Sequence, residues 1–79
     1  MAGKNFGKGT EEWMMFVEFW QMCKDFWIAE NTDEYWNELI QKSNEFAEKY
    51  KDIIPGDLPT KLAIAFCEAK DMEIKQKKQ

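Results

Sequence analysis

Two thiols, fifteen carboxylates and eleven lysines make up the reactive side chains of this 79-residue chain; histidine and arginine are absent. Without histidine, the commonest general base and the commonest zinc ligand are missing, and with them every catalytic triad and Glu-x-x-His metal scheme. Cys23 and Cys67 form no Cys-x-x-Cys pair and have no imidazole to activate them. Cys23 falls at a core position of an apolar run and Cys67 lies in LAIAFC, so both are expected to be buried, inert thiols. The segment GKNFGKGT has the flavour of a phosphate loop but fails its spacing. Three residues, not four, separate Gly3 from Gly7, and Gly9 parts Lys8 from Thr10. The carboxylates group as Glu30, Asp33, Glu34, Glu38 and as Glu45, Glu48, Asp52. Such clusters can hold cations or pair as acid and base, but here they fall on the outer side of an amphipathic segment, where a solvated face is expected. No catalytic residue, metal ligand or cofactor is assigned, and the expectation is a non-enzymatic protein.

Three helices must position these groups. Residues 1–10 hold three of the four glycines and read as a flexible leader. Thr10 is a good N-cap, with Glu11 and Glu12 in the first turn, and predicts a helix over about 11–29. Glu30-Asn31-Thr32 makes the break. Asn31 or Thr32 caps a second helix over about 33–51, one-faced, with Trp36, Leu39, Ile40 and Phe46 inside alongside Tyr35, Ala47 and Tyr50. Glu38–Lys42 and Glu45–Lys49 are acid-to-lysine pairs at i,i+4 on its outer face. Ser43 falls inside the apolar stripe, either bonding back to the Leu39 carbonyl or marking a tight crossing. Pro55-Gly56 ends this element, and Ile53 and Ile54 are expected to tuck the loop onto the core. Asp57 caps a third helix over about 58–75, with Pro59 tolerated in its first turn. Its predicted inner face is Leu58, Leu62, Ala65, Phe66, Ala69 and Met72, with Ile64, Cys67 and Ile74 off that face. Residues 76–79 read as a frayed basic tail. No segment alternates with period two, so the fold class is all-α, an antiparallel three-helix bundle forming a single domain over 11–75.

The first helix differs from the second in kind. Glu18, Gln21 and Asp25 cluster within about 60° of arc, and nearly everything else is apolar. One edge carries Trp13, Phe16, Trp20, Cys23 and Trp27, a row of a/d type with tryptophan at every seventh place. The other carries Met15, Phe19, Met22 and Phe26. A helix in a small bundle needs an apolar stripe a little over ~100° wide, and this one offers nearly twice that. The expectation assigns the tryptophan row to the core with Leu62 and Phe66. The Met/Phe edge is assigned to a partner: another copy, a host protein or an apolar ligand.

Net charge is −4, and residues 11–73 hold all fifteen acids against six lysines, a balance of −9. An acidic folded part without arginine argues against direct nucleic-acid binding. No stretch of ~20 residues is free of charge, so no membrane span is expected. Two cysteines without a secretory leader predict a reducing, cytoplasmic setting.

The run FVEFWQMCKDFWIAENTDEYWNELIQKSNEFAEKY resembles a loose group of short all-helical proteins from prophages and mobile elements of low-GC Gram-positive bacteria. FW…DFW, DEYWNELI and FAEKY carry the resemblance, which covers residues 16–72. It implies an accessory cytoplasmic protein acting on host machinery and brings no functional residues with it. Two functions follow as expectations. The first is a protein–protein interaction module, self-association included, working through the surplus apolar face of the first helix. The second is a phage-type inhibitor whose acidic surface imitates nucleic acid in the groove of a host protein.

Overall fold

The computed structural model describes residues 3–77, the Lys77 side chain excepted. Helices α1 (Glu11–Asp25), α2 (Asp33–Tyr50) and α3 (Leu58–Lys77) form a three-helix bundle, and the described residues contain no strand. Contacts run Glu18 to Lys49, Met22 to Ser43 and Phe26 to Tyr35, so α1 and α2 are antiparallel. α2 and α3 make the most extensive pair. No helix is long and apolar enough to cross a membrane among the described residues.

The predicted caps form. Thr10 Oγ1 accepts from the Trp13 N–H at 3.2 Å, and Thr32 Oγ1 from the Tyr35 N–H at 3.1 Å. Asp57 differs from its expected role. Its carbonyl receives the first helical bond of α3 from Lys61 at 3.0 Å, but its backbone is left-handed, with φ 56. Aspartate tolerates that conformation better than most residues. It follows Gly56 at φ 75, so two left-handed residues turn the chain into α3. Pro59 is fully buried in the first turn, and Ile54 tucks under the loop as expected, while Ile53 stays exposed.

α1 stops at Asp25, short of the predicted Ala29, although no glycine or proline marks the place. Two side chains from the other helices make the stop. The Tyr35 hydroxyl donates to the Phe26 carbonyl at 2.8 Å, and the Lys70 ammonium donates to the Trp27 carbonyl at 2.7 Å. Carbonyls at a helix end need partners from outside the helix, and these two are met by α2 and α3. At the other end α3 continues to Lys77, so the predicted tail begins within it; Lys78 and Gln79 lie outside the described residues.

The core has two clusters. Met22, Phe26, Ala29, Tyr35, Leu39, Phe66 and Ile74 pack at one end, and Met15, Phe46, Tyr50, Ile54 and Ala63 at the other. Phe19 joins them, 5.8 Å from the Phe46 ring centroid and 6.3 Å from that of Phe66. α2 is oriented as its pattern predicts, with Leu39 and Phe46 buried and Trp36 half-buried, except that Ile40 is 51% exposed. α3 is turned by about one residue, ~100°, from the predicted face. Ala63, Phe66, Lys70 and Ile74 face inward, Leu62 and Cys67 are half-buried, and Leu58, Ala65, Ala69 and Met72 are exposed. Burying Lys70 allows this, because its ammonium finds the Trp27 carbonyl and Glu73, the latter at 3.2 Å.

Candidate interaction surface

α1 meets the bundle through the edge assigned to a partner, and turns outward the row assigned to the core. Met15 is 0%, Met22 6% and Phe26 9% exposed, and Phe19 is half-buried, so none of the four is free for a partner. Trp13, Phe16, Trp20 and Trp27 are exposed, the last two by 61% and 64%, and Cys23 is half-buried between the two edges. Both assignments are corrected. The physical reason lies in the flanks. Lys24 lies on the tryptophan side, and turning that side inward would strip its ammonium of water. On the Met/Phe side the flanking charge is Glu18, which reaches Lys49 of α2 in an ion pair at the surface. Slender, unbranched methionines also let α1 sit close in the groove between α2 and α3, where a row of indoles would hold it off.

The outward row is partly organised. Lys24 Nζ lies 4.5 Å from the Trp20 ring centroid and Lys70 Nζ 4.1 Å from that of Trp27. A cation over each ring restricts two of the three indoles. Trp20, Cys23, Lys24 and Trp27 line a shallow groove of about 420 Å³. Burial pushes the Cys23 thiol up from its ordinary pKa, against an opposing pull from the Lys70 charge. A neutral thiol suits an apolar surface and not a nucleophile.

The leader extends this face. Phe6 stacks on Phe16 with centroids 5.9 Å apart, and Lys4 pairs with Glu12, holding its carboxyl below the usual range. Residues 3–9 have no regular structure, but the flexible leader of the sequence reading is held here at two points. Met14 and Val17, also exposed, carry the apolar surface round to the polar sector. The chain exposes 6058 Å² in all. Scaling for compact monomers gives about 5000 Å² at this mass. The shape is correspondingly long, 45 × 25 × 21 Å.

A second, smaller apolar groove of about 300 Å³ lies between α2 and α3, rimmed by Ile40 and Ile64, each 51% exposed. Its floor includes Ser43, whose hydroxyl lies 3.3 Å from Cys67 Sγ and 3.9 Å from Met22 Sδ. Ser43 therefore marks a close crossing of all three helices, the second of the two roles its place in the stripe suggested.

The acidic clusters behave as a solvated face. The expected pairs within α2 do not form. Lys42 takes Glu45 at 3.8 Å and Lys49 takes Glu18 of α1. Glu30, Asp33, Glu34 and Glu38 are exposed and have no lysine within ion-pair distance among the described residues. No three His, Cys, Asp or Glu side chains converge as a metal site among those residues. No protein-family model, curated protein or solved structure matches the chain.

Proposed function

We propose that this is a non-enzymatic interaction module of the cytoplasm that binds another protein chain through the tryptophan row of α1. The observation that carries this reading is the outward turn of Trp13, Phe16 and Trp20, with Trp27 just past the helix end, on a helix whose opposite edge already fills the core. Isolated exposed apolar residues are ordinary, but a contiguous patch of several hundred Å² marks a contact site. Tryptophan is among the residues that dominate binding energy at interfaces, and rings held in place beforehand lose less freedom on binding. The two free cysteines agree with a reducing compartment.

The test is photo-crosslinking in the producing cell, with a photoreactive phenylalanine analogue in place of Trp20 or, as control, exposed Asn37. A discrete adduct from position 20 and none from position 37 is the expected result. Equal labelling from both positions, or none from either, overturns the reading.

A second reading rests on a different surface. The carboxylates of Glu30, Asp33, Glu34 and Glu38, without an ion-pair partner among the described residues, lie at and just before the start of α2 and would suit a basic groove, as an imitation of nucleic acid. Binding of that kind weakens as salt rises, whereas contact through the tryptophan row survives it. Reversing Glu34 and Glu38 to lysine separates the two readings: it abolishes binding through the acidic face and spares binding through α1.

A further inference from the structure

We infer that the chain covering the tryptophan row is a second copy of this protein, joined α1 to α1 in a two-fold dimer. The inference rests on the interaction reading above and names its partner. Three observations carry it.

The first is spacing. Trp13, Phe16, Trp20, Cys23 and Trp27 follow the 3–4 alternation of a helix–helix seam, and the residues through Cys23 lie within α1. A seam of this kind fits another helix with the same repeat, and the chain's own α1 has that repeat.

The second is area. At 150–250 Å² for a full aromatic side chain, the exposed parts of Trp13, Phe16, Val17, Trp20, Trp27 and the adjoining Ile28 come to on the order of 700 Å². A standard specific interface takes about 800 Å² from each partner. Two copies meeting on this face would remove most of that apolar surface from water.

The third is charge. Two ammonium groups lie against the seam: exposed Lys24, over Trp20, can reach water along the edge, and buried Lys70, over Trp27, is held by the Trp27 carbonyl and Glu73. The chain as a whole carries −4. Two copies therefore repel at long range and attract at contact. Salt screens the first and leaves the second, so this dimer tightens as salt rises. A basic foreign partner would show the reverse.

The α2–α3 groove is the competing surface for self-association, and its Ile40 and Ile64 provide the control. Sedimentation equilibrium of the whole chain, over a concentration series at low and high salt, is the experiment. The wild type is expected to shift from 9.4 kDa to twice that mass, more readily at high salt. Trp20→Ser is expected to remain at the single-chain mass, with its helical circular dichroism unchanged, and Ile64→Ser to dimerise as the wild type does. Loss of dimer in Ile64→Ser with retention in Trp20→Ser overturns the inference. So does a wild type that stays at the single-chain mass throughout. In that last case the position-20 crosslink separates the two ideas. An adduct to a different protein leaves the interaction reading standing without the dimer, and no adduct removes both.

Discussion

The Lys70 ammonium donates at 2.7 Å to the Trp27 carbonyl and sits 4.1 Å from the centroid of the same residue's ring. Lys70 is 6% exposed, so one buried cation of α3 holds both the backbone and the side chain at the end of α1. This pair fixes where the first helix stops and how the outermost tryptophan is presented.

Replacing Lys70 by Met keeps the aliphatic stem but leaves the Trp27 carbonyl without its charged donor. Hydrogen bonds to charged groups contribute about 1.5–3 kcal/mol, and relief from burying the ammonium offsets part of that. The expected loss is about 1 kcal/mol by urea unfolding, with faster amide exchange over residues 27–31. Unchanged exchange there would mean that the stop is set by something other than Lys70.

Two buried tyrosines should respond differently to loss of their hydroxyls. Tyr35 Oη donates to the Phe26 carbonyl, so Tyr35→Phe orphans a helix-end acceptor and should cost about 1 kcal/mol. Tyr50 is 2% exposed, and its hydroxyl has no hydrogen-bond partner among the described residues. The Glu18–Lys49 ion pair passes beside that hydroxyl without a well-formed hydrogen bond to it, so Tyr50→Phe should be close to neutral. Equal losses in the two variants would contradict this assignment.

Burial pushes the Tyr35 hydroxyl up to about 12, with nearby Glu73 adding to the shift. The folded state therefore holds the phenolic proton more tightly than the unfolded chain, where tyrosine ionises near ~10. The associated stability is fully present below pH ~10 and is lost as pH rises through the folded value. Burial raises Tyr50 in the same sense, and Glu18 raises Lys49. Stability should fall steeply between about pH 10 and 12, and less steeply in Tyr35→Phe, as followed by thermal melts across that range. A flat profile in the wild type would show that Tyr35 is not buried as described.

The parts of the fold that were legible in the sequence are those governed by local chemistry. Thr10 and Thr32 cap as their side chains dictate, and Pro55-Gly56 breaks the chain where neither residue continues a helix. α2 has a single apolar stripe, so its orientation follows from its pattern. α1 has two apolar edges, and a pattern that is apolar over most of its circumference cannot say which part faces inward. That choice came from the charges flanking the two edges, Glu18 finding Lys49 of α2 and Lys24 needing water. The end of α1 was hidden for a related reason. Its stop signal is two side chains, Tyr35 and Lys70, that lie 9 and 43 residues from the carbonyls they meet. In α3, counting lysine as an outward residue concealed the one turned in, and with it the rotation that exposes Met72 and buries Ile74.

The exchange of the two edges of α1 is tested most directly by a pair of neighbours. Met22 is 6% exposed and Trp20 is 61% exposed, two positions apart on one helix. Urea unfolding of Met22→Ala and Trp20→Ala, at chain concentrations low enough to keep the protein monomeric, measures what each edge contributes. A loss of about 2–4 kcal/mol is expected for Met22→Ala, as for a methionine removed from a packed core, and under about 1 kcal/mol for Trp20→Ala. A larger loss from Trp20→Ala than from Met22→Ala would put the tryptophan row inside and contradict the account.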